Sequence, residues 1–86
     1  MITFPNESRS FDTTRRAVRF WGYDTSMEVS FFLDADALRK LQAGIENDTA
    51  ALLKAFDANR KTIYGAATKV YGRERRGSYN IFAADL

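Results

Sequence analysis

Two runs of residues, 16–23 and 27–33, alternate between the two sides of an extended chain, as β-strands with one buried face do. Residues 24–26 form a short polar turn between them, so the pattern predicts an antiparallel hairpin. One side of the hairpin is apolar and consists of Val18, Phe20, Val29, Phe31 and Leu33. The opposite side carries the side chains of Arg19, Trp21, Tyr23 and Phe32.

After the hairpin, the apolar spacing changes from two residues to three and four, which predicts helices. Asp34 or Asp36 is expected to cap a short first helix, in which Leu38 and Leu41 share one side. Gly44 is suited to end this helix in a left-handed conformation.

A second, longer helix is expected to begin at Asn47 or Asp48 and to run to about Tyr71, with Gly72 just beyond its end. Its apolar stripe contains one polar residue, Asn59, which we interpret as a residue that bonds to nearby backbone or fixes the register of packing. The members of the stripe are Leu52, Phe56, Asn59, Ile63, Ala66 and Val70.

The remaining segments complete the predicted fold. Residues 1–4 are expected to form a short edge strand that ends at Pro5, followed by a loop over residues 5–14. Residues 73–77 form a charged turn, and residues 78–84 form a last strand. We therefore predict one α+β domain over residues 1–86, in which two helices cover one face of a mainly antiparallel sheet. The order is strand, strand, strand, helix, helix, strand.

The composition excludes much catalytic chemistry, because the chain contains neither histidine nor cysteine. Histidine-dependent triads, zinc fingers, disulfides and redox pairs are therefore ruled out. Asp34 and Asp36 resemble a magnesium-binding pair, but acids that precede a helix more commonly cap it. We expect no metal, no cofactor and no enzymatic activity. The N-terminal residues lack the pattern of a signal peptide and no segment is long and apolar enough to span a membrane, so we expect a cytoplasmic protein.

The net charge of +2 is small, but the arginines are clustered. One cluster precedes or occupies the first long strand and the other precedes the last strand, and the two meet only if those strands run parallel. Together with two aromatic residues they form a candidate surface for a partner or a nucleic acid, made of Arg15, Arg16, Arg19, Trp21, Tyr23, Arg73, Arg75 and Arg76.

Three interpretations of the aromatic strand face remain open from the sequence. The N-terminal segment covers this face through Ile2, Phe4 or Phe11, or the face forms a homodimer interface. Alternatively, its arginine and aromatic side chains stack the bases of a single-stranded nucleic acid. The last strand would add either Tyr79 or Phe82 to it.

Four segments in this order resemble the DUF1488 family of short bacterial proteins, whose function is unknown. They are Ile2-Thr3-Phe4-Pro5, then Arg16-Ala17-Val18-Arg19-Phe20-Trp21-Gly22, then Phe56-Asp57-Ala58-Asn59-Arg60, then Arg76-Gly77-Ser78-Tyr79. The resemblance spans nearly the whole chain and implies a small bacterial α+β protein. It implies no activity and no site residue.

From the sequence we therefore expect a non-enzymatic binding or regulatory protein that acts through protein–protein contacts, including contacts with itself. A nucleic-acid-binding module that uses the arginine-rich aromatic surface is the alternative.

Overall fold

The computed structural model of the chain describes residues 1–86 and contains five strands, three α-helices and a C-terminal 3-10 helix, Ala83–Asp85. The strands are Ile2–Thr3 (β1), Arg9–Asp12 (β2), Ala17–Asp24 (β3), Met27–Asp34 (β4) and Ser78–Ile81 (β5). The α-helices are Ala35–Leu41 (α1), Thr49–Ala58 (α2) and Arg60–Arg73 (α3). The architecture is the predicted α+β fold, a mainly antiparallel sheet with helices on one face, but it has three helices rather than two.

The predicted hairpin forms the centre of the sheet. β3 and β4 pair over their full length, from Ala17 opposite Asp34 to Asp24 opposite Met27. β1 and β2 both pair antiparallel with the other edge of β3, whereas β5 lies parallel to β4 at the opposite edge of the sheet. Because β3 is antiparallel to β4 and β5 is parallel to it, β3 and β5 run in opposite directions.

The expected loop over residues 5–14 is partly wrong, because it contains β2. This strand pairs Arg9 with Phe20 and Asp12 with Ala17. Four residues with only one apolar side chain, Phe11, give too little alternation to indicate a strand from sequence. Pairing to the edge of β3 and packing of Phe11 against the core stabilise the segment instead.

One hydrophobic core lies between the helices and the face of the sheet that carries Val18 and Phe20, which we call the inner face. The helices contribute apolar side chains such as Leu38, Phe56 and Ile63, each fully buried. Phe20 is central, because its ring lies 5.3 Å from that of Phe31 and 5.2 Å from that of Phe56. The apolar stripe of the predicted long helix therefore faces the core as expected.

The long helix itself is not continuous, since it breaks at Asn59 between α2 and α3. The backbone N–H of Asn59 donates to Phe56, three residues earlier, rather than to Ala55. The Asn59 side-chain amide donates to the free carbonyl of Ala55 at 2.8 Å. Asparagine competes in this way with helical backbone bonding. The bond to nearby backbone was predicted, but the break that accompanies it was not.

The capping residues expected from the sequence are found at some of the helix ends. Asp48 caps α2 as expected, because its carboxylate accepts from the N–H of Ala51 at 2.8 Å. Asp34 occupies the N-cap position of α1 without a side-chain cap bond. Gly44 is left-handed, with φ of 79°, but α1 ends three residues before it, at Leu41.

The last strand is shorter than expected, because it ends at Ile81 rather than continuing to residue 84. Asp85 explains the early end, since its carboxylate accepts from the N–H of Phe82 at 2.8 Å and turns the chain into the 3-10 helix.

Candidate functional site

The face of the sheet opposite the helices is open, and we call it the outer face. Its side chains follow from the strand register, since directly paired residues point to the same side. Across the middle of the sheet, Arg19 of β3 lies between Ser10 of β2 and Phe32 of β4, and Asn80 of β5 completes the row. The other members are Thr3, Asp12, Ala17, Trp21, Tyr23, Glu28, Ser30, Asp34 and Ser78.

At the centre of the outer face, the guanidinium of Arg19 lies between two aromatic rings. Its central carbon is 5.1 Å from the centroid of Trp21 and 5.6 Å from that of Phe32. A terminal nitrogen donates to the hydroxyl of Ser30 at 3.2 Å, while Nε is buried without a partner. The cation and the two rings attract one another, so this arrangement fixes the direction of the Arg19 side chain.

A second arginine extends the stack. Arg15 precedes β3 in the chain, and its guanidinium carbon lies 4.1 Å from the centroid of the Phe32 ring. Phe32 is consequently only 6% exposed, although it points away from the core. Trp21 remains partly exposed, and its direct partner across the strands is the small Ser30. Trp21 is therefore the aromatic ring of this central stack that a partner can reach.

The third aromatic residue, Tyr23, is tied to its surroundings by its hydroxyl. This hydroxyl donates to the carboxylate of Glu28 at 3.0 Å and accepts from the side-chain amide of Asn6 at 3.4 Å. Glu28 places a negative charge at the end of the outer face that is farthest from Arg15. The face thus has an aromatic centre, and its other end carries charges of both signs, since Arg15 pairs with Asp12 at 3.8 Å.

The N-terminal segment does not cover this face, so that interpretation of the sequence is wrong. Ile2, Phe4 and Phe11 all pack against the core on the inner side of the sheet. The ring of Phe4 stacks on that of Tyr64 in α3, with centroids 4.4 Å apart. Of the two residues that β5 was expected to contribute, Tyr79 belongs to the core, and Phe82 lies just beyond the strand with 55% exposure.

The two arginine clusters lie at opposite ends of the sheet, because β3 and β5 run in opposite directions. The three arginines of the turn before β5 also differ in their partners. Arg73 pairs with Asp85 at 2.9 Å and Arg76 pairs with Glu74, whereas Arg75 forms no ion pair or hydrogen bond. The sequence did not indicate this difference, since it depends on how the turn folds.

The acidic pair Asp34 and Asp36, the other candidate site in the sequence, lies at the start of α1. Asp36 lies in the first turn of α1 and meets Arg39 at 3.4 Å. No group of three carboxylates lies close enough together to hold a metal ion. None of the helices is long and apolar enough to cross a membrane.

A cavity of about 230 Å³ lies beside the arginine turn, between α3, β5 and the start of β4, and no pattern in the sequence predicts it. Tyr71 forms part of its wall, and the Tyr71 hydroxyl donates to the carboxylate of Asp24. This bond lowers the pKa of Asp24, with help from the N-terminal ammonium, and raises the pKa of Tyr71. A single tyrosine on a helix does not indicate such a cavity from the sequence.

Comparison with known proteins supports the fold and the family. Among proteins of curated function, none matches this chain. A crystal structure of a protein of unknown function from the DUF1488 family of Shewanella loihica PV-4 is similar, with a TM-score of 0.83 and 22% sequence identity. The similarity covers 93% of this chain and 90% of that one. The family described as "Protein of unknown function (DUF1488)" matches residues 2–82, and this chain therefore belongs to the DUF1488 family.

Proposed function

We propose that this chain is a non-enzymatic cytoplasmic binding protein whose outer face associates with the same face of a second copy. The observation that carries the proposal is the Trp21–Arg19–Phe32 stack on a sheet face that no helix covers. Tryptophan and arginine are the residues that most often dominate interface energies. A preorganised Arg19 also loses little side-chain freedom on binding.

The central position of Trp21 favours a second copy as the partner. A two-fold axis that stacks two outer faces with antiparallel strands places Trp21 of each copy over the middle of the other face. Small side chains such as Ser30, Ser78 and Asn80 leave room between the ends for Trp21 of the partner.

The size of the face limits the surface that the two copies can bury. Four strand positions about 4.8 Å apart and eight residues at about 3.3 Å each give about 500 Å² per copy. The total of about 1,000 Å² is at the lower limit for a specific interface. Interfaces of this size are commonly weak and transient, so we expect a dissociation constant on the order of 10–100 μM.

Nucleic-acid binding receives less support from the same geometry. Phe32 is capped by Arg15, so its ring face is not free for a base. The arginine clusters lie at opposite ends of the sheet, and Arg73 and Arg76 already pair with carboxylates. A single-stranded nucleic acid would thus meet only part of the candidate surface at a time.

Sedimentation velocity over about 5–500 μM protein tests the proposal, because this range spans the expected dissociation constant. The dimer should persist in high salt, since apolar burial tolerates salt. Trp21→Ala should weaken it at least about tenfold. Met27→Ala is the matched control, because Met27 is 51% exposed but lies on the strand side opposite to the outer face.

Asn80→Glu supplies a second variant that leaves Trp21 and the core intact. It places like charges on both copies at an exposed position of the outer face and should also weaken the dimer. A monomer at all concentrations, or equal effects of Trp21→Ala and Met27→Ala, would contradict the proposal. Tight, salt-sensitive binding of single-stranded RNA would favour the alternative function instead.

A further inference from the structure

The cavity beside the arginine turn exists because β4 and β5 pair only from Ser30 and Ser78 onward. Before these residues the two segments diverge, and the gap between residues 27–29 and 75–77 is about 230 Å³ in volume. On this side, the first three residues of β4 have no strand partner, since the other edge of β4 is paired to β3. The cavity is therefore built into the sheet topology.

Two tyrosines give the cavity an aromatic wall. The rings of Tyr71 and Tyr79 meet edge to face, with centroids 5.3 Å apart. The hydroxyl of Tyr79 accepts from the N–H of Arg76 and donates to the carbonyl of Glu74, which holds the arginine turn in place. The ring of Tyr71 and the side chain of Met27 line the accessible wall of the cavity, and Tyr79, which is only 2% exposed, lies behind this wall with Val29.

The rim of the cavity carries one cation without a partner. Arg75 is the arginine of the turn that meets no carboxylate within ion-pair distance, whereas the charge of Arg76 is balanced by Glu74. Glu28 also lines the rim and keeps its negative charge, but its hydrogen bond from the hydroxyl of Tyr23 holds the carboxylate toward the outer face. An anion on an apolar body would complement the free guanidinium and the aromatic wall together.

We propose that this cavity binds a small organic anion with an aromatic or apolar body, which packs on Tyr71 and Met27 and whose carboxylate meets Arg75. The volume is below that of pockets for drug-sized ligands, so the ligand has about ten non-hydrogen atoms. A ligand of this size is expected to bind with a dissociation constant of about 0.1–1 mM. The proposal does not depend on self-association, because the cavity lies at the edge of the core and not on the outer face.

Benzoate is a suitable probe, with benzyl alcohol as the uncharged analogue and acetate as the anion without a ring. Amide resonances of residues 27–29 and 75–79 should shift with benzoate, and benzyl alcohol should bind about tenfold more weakly. Arg75→Ala should reduce the affinity for benzoate to that for the alcohol. Lys61→Ala is the control, because it removes the same charge from an exposed site on α3.

Three results would overturn the proposal. They are the absence of shifts at about 10 mM benzoate, equal binding of acetate and benzoate, and an Arg75→Ala variant that binds benzoate as the wild type does. Trp21→Ala should retain benzoate binding, so failure of the dimer and failure of the cavity site are distinguishable.

Discussion

The carbonyl of Ala55 accepts a hydrogen bond from the side-chain amide of Asn59, at 2.8 Å, and not from the backbone N–H of Asn59. The same amide also reaches the side-chain oxygen of Gln42 beyond α1, at 3.1 Å. One polar residue in an apolar stripe thus divides the long helix into α2 and α3 and ties the break to the segment after α1.

Asn59→Ala tests this account of the break. The substitution leaves the carbonyl of Ala55 without its donor and removes the link to Gln42, so we expect a loss of about 1–2 kcal/mol in the free energy of unfolding. Gln42→Ala removes only the second bond and should cost less than about 0.5 kcal/mol. Urea denaturation measures both values. An Asn59→Ala variant as stable as the wild type would show that other contacts impose the break.

The packing of α2 in the core predicts a large loss of stability when its central side chain is removed. Phe56 is fully buried against Phe20, so Phe56→Ala should lower the free energy of unfolding by about 3–5 kcal/mol. This is a large part of the roughly 4–13 kcal/mol expected for a chain of this length. Lys61→Ala, on the exposed side of α3, should change it by less than about 0.5 kcal/mol. Similar losses for the two variants would mean that the buried helix face is assigned wrongly.

Gly22 should tolerate no side chain, because the N-terminal segment packs directly on it. A Cβ atom there would lie 2.9 Å from the ring of Phe4 and 3.0 Å from the side chain of Ile2. Gly22→Ala should therefore cost about 1–3 kcal/mol. Gly65→Ala is the matched control, since its Cβ would meet nothing within 4 Å and alanine favours the helix by up to about 1 kcal/mol. Thermal melts of the two variants should move in opposite directions, and a joint shift would contradict the packing described.

Asp57 should make the free energy of unfolding depend on pH at low pH, because its carboxylate accepts hydrogen bonds from Arg9 of β2 and from Arg60 of α3. The hydrogen bond from Arg9 contributes most to holding the pKa of Asp57 below its usual value of 3.8. A carboxyl group with a lowered folded-state pKa stabilises the fold above the unfolded-state value, and this contribution is lost as the pH falls through the folded-state pKa. The loss should therefore occur below about pH 4.

Asp57→Asn should thus be less stable than the wild type at pH 7 and should lose less stability between about pH 5 and pH 2. Urea denaturation across this range is the measurement. Asp36→Asn serves as the control for the loss of one carboxylate, because Asp36 is 83% exposed and meets one arginine at 3.4 Å. Parallel curves for the wild type and Asp57→Asn would show that this ion-pair cluster does not govern the acid response.

The sequence predicts the parts of the fold that rest on periodicity. The hairpin of β3 and β4 and the buried side of α2 and α3 follow from apolar spacings, which local geometry converts directly into faces. β2 has no such signal, since an edge strand of four residues is stabilised by backbone pairing and by Phe11 alone. The break at Asn59 also escapes prediction, because a polar residue in a stripe is compatible with both a continuous and a broken helix.

The candidate surface could be predicted only in part for a similar reason. Alternation places Arg19, Trp21 and Tyr23 on one face, and the structure has them there. Alternation does not reveal that Arg15 caps Phe32, nor that the direction of β5 separates the arginine clusters. Those relationships depend on contacts and strand directions that are distant in sequence.

The fluorescence of Trp21 tests the central proposal most directly, because it is the only tryptophan in the chain and lies at the centre of the proposed interface. As protein concentration rises through the dissociation constant of the dimer, its emission maximum should move to shorter wavelength and its quenching by acrylamide should fall. This change should persist in high salt and be suppressed in Asn80→Glu. An emission maximum and quenching that stay constant while sedimentation shows dimers would contradict association through the outer face.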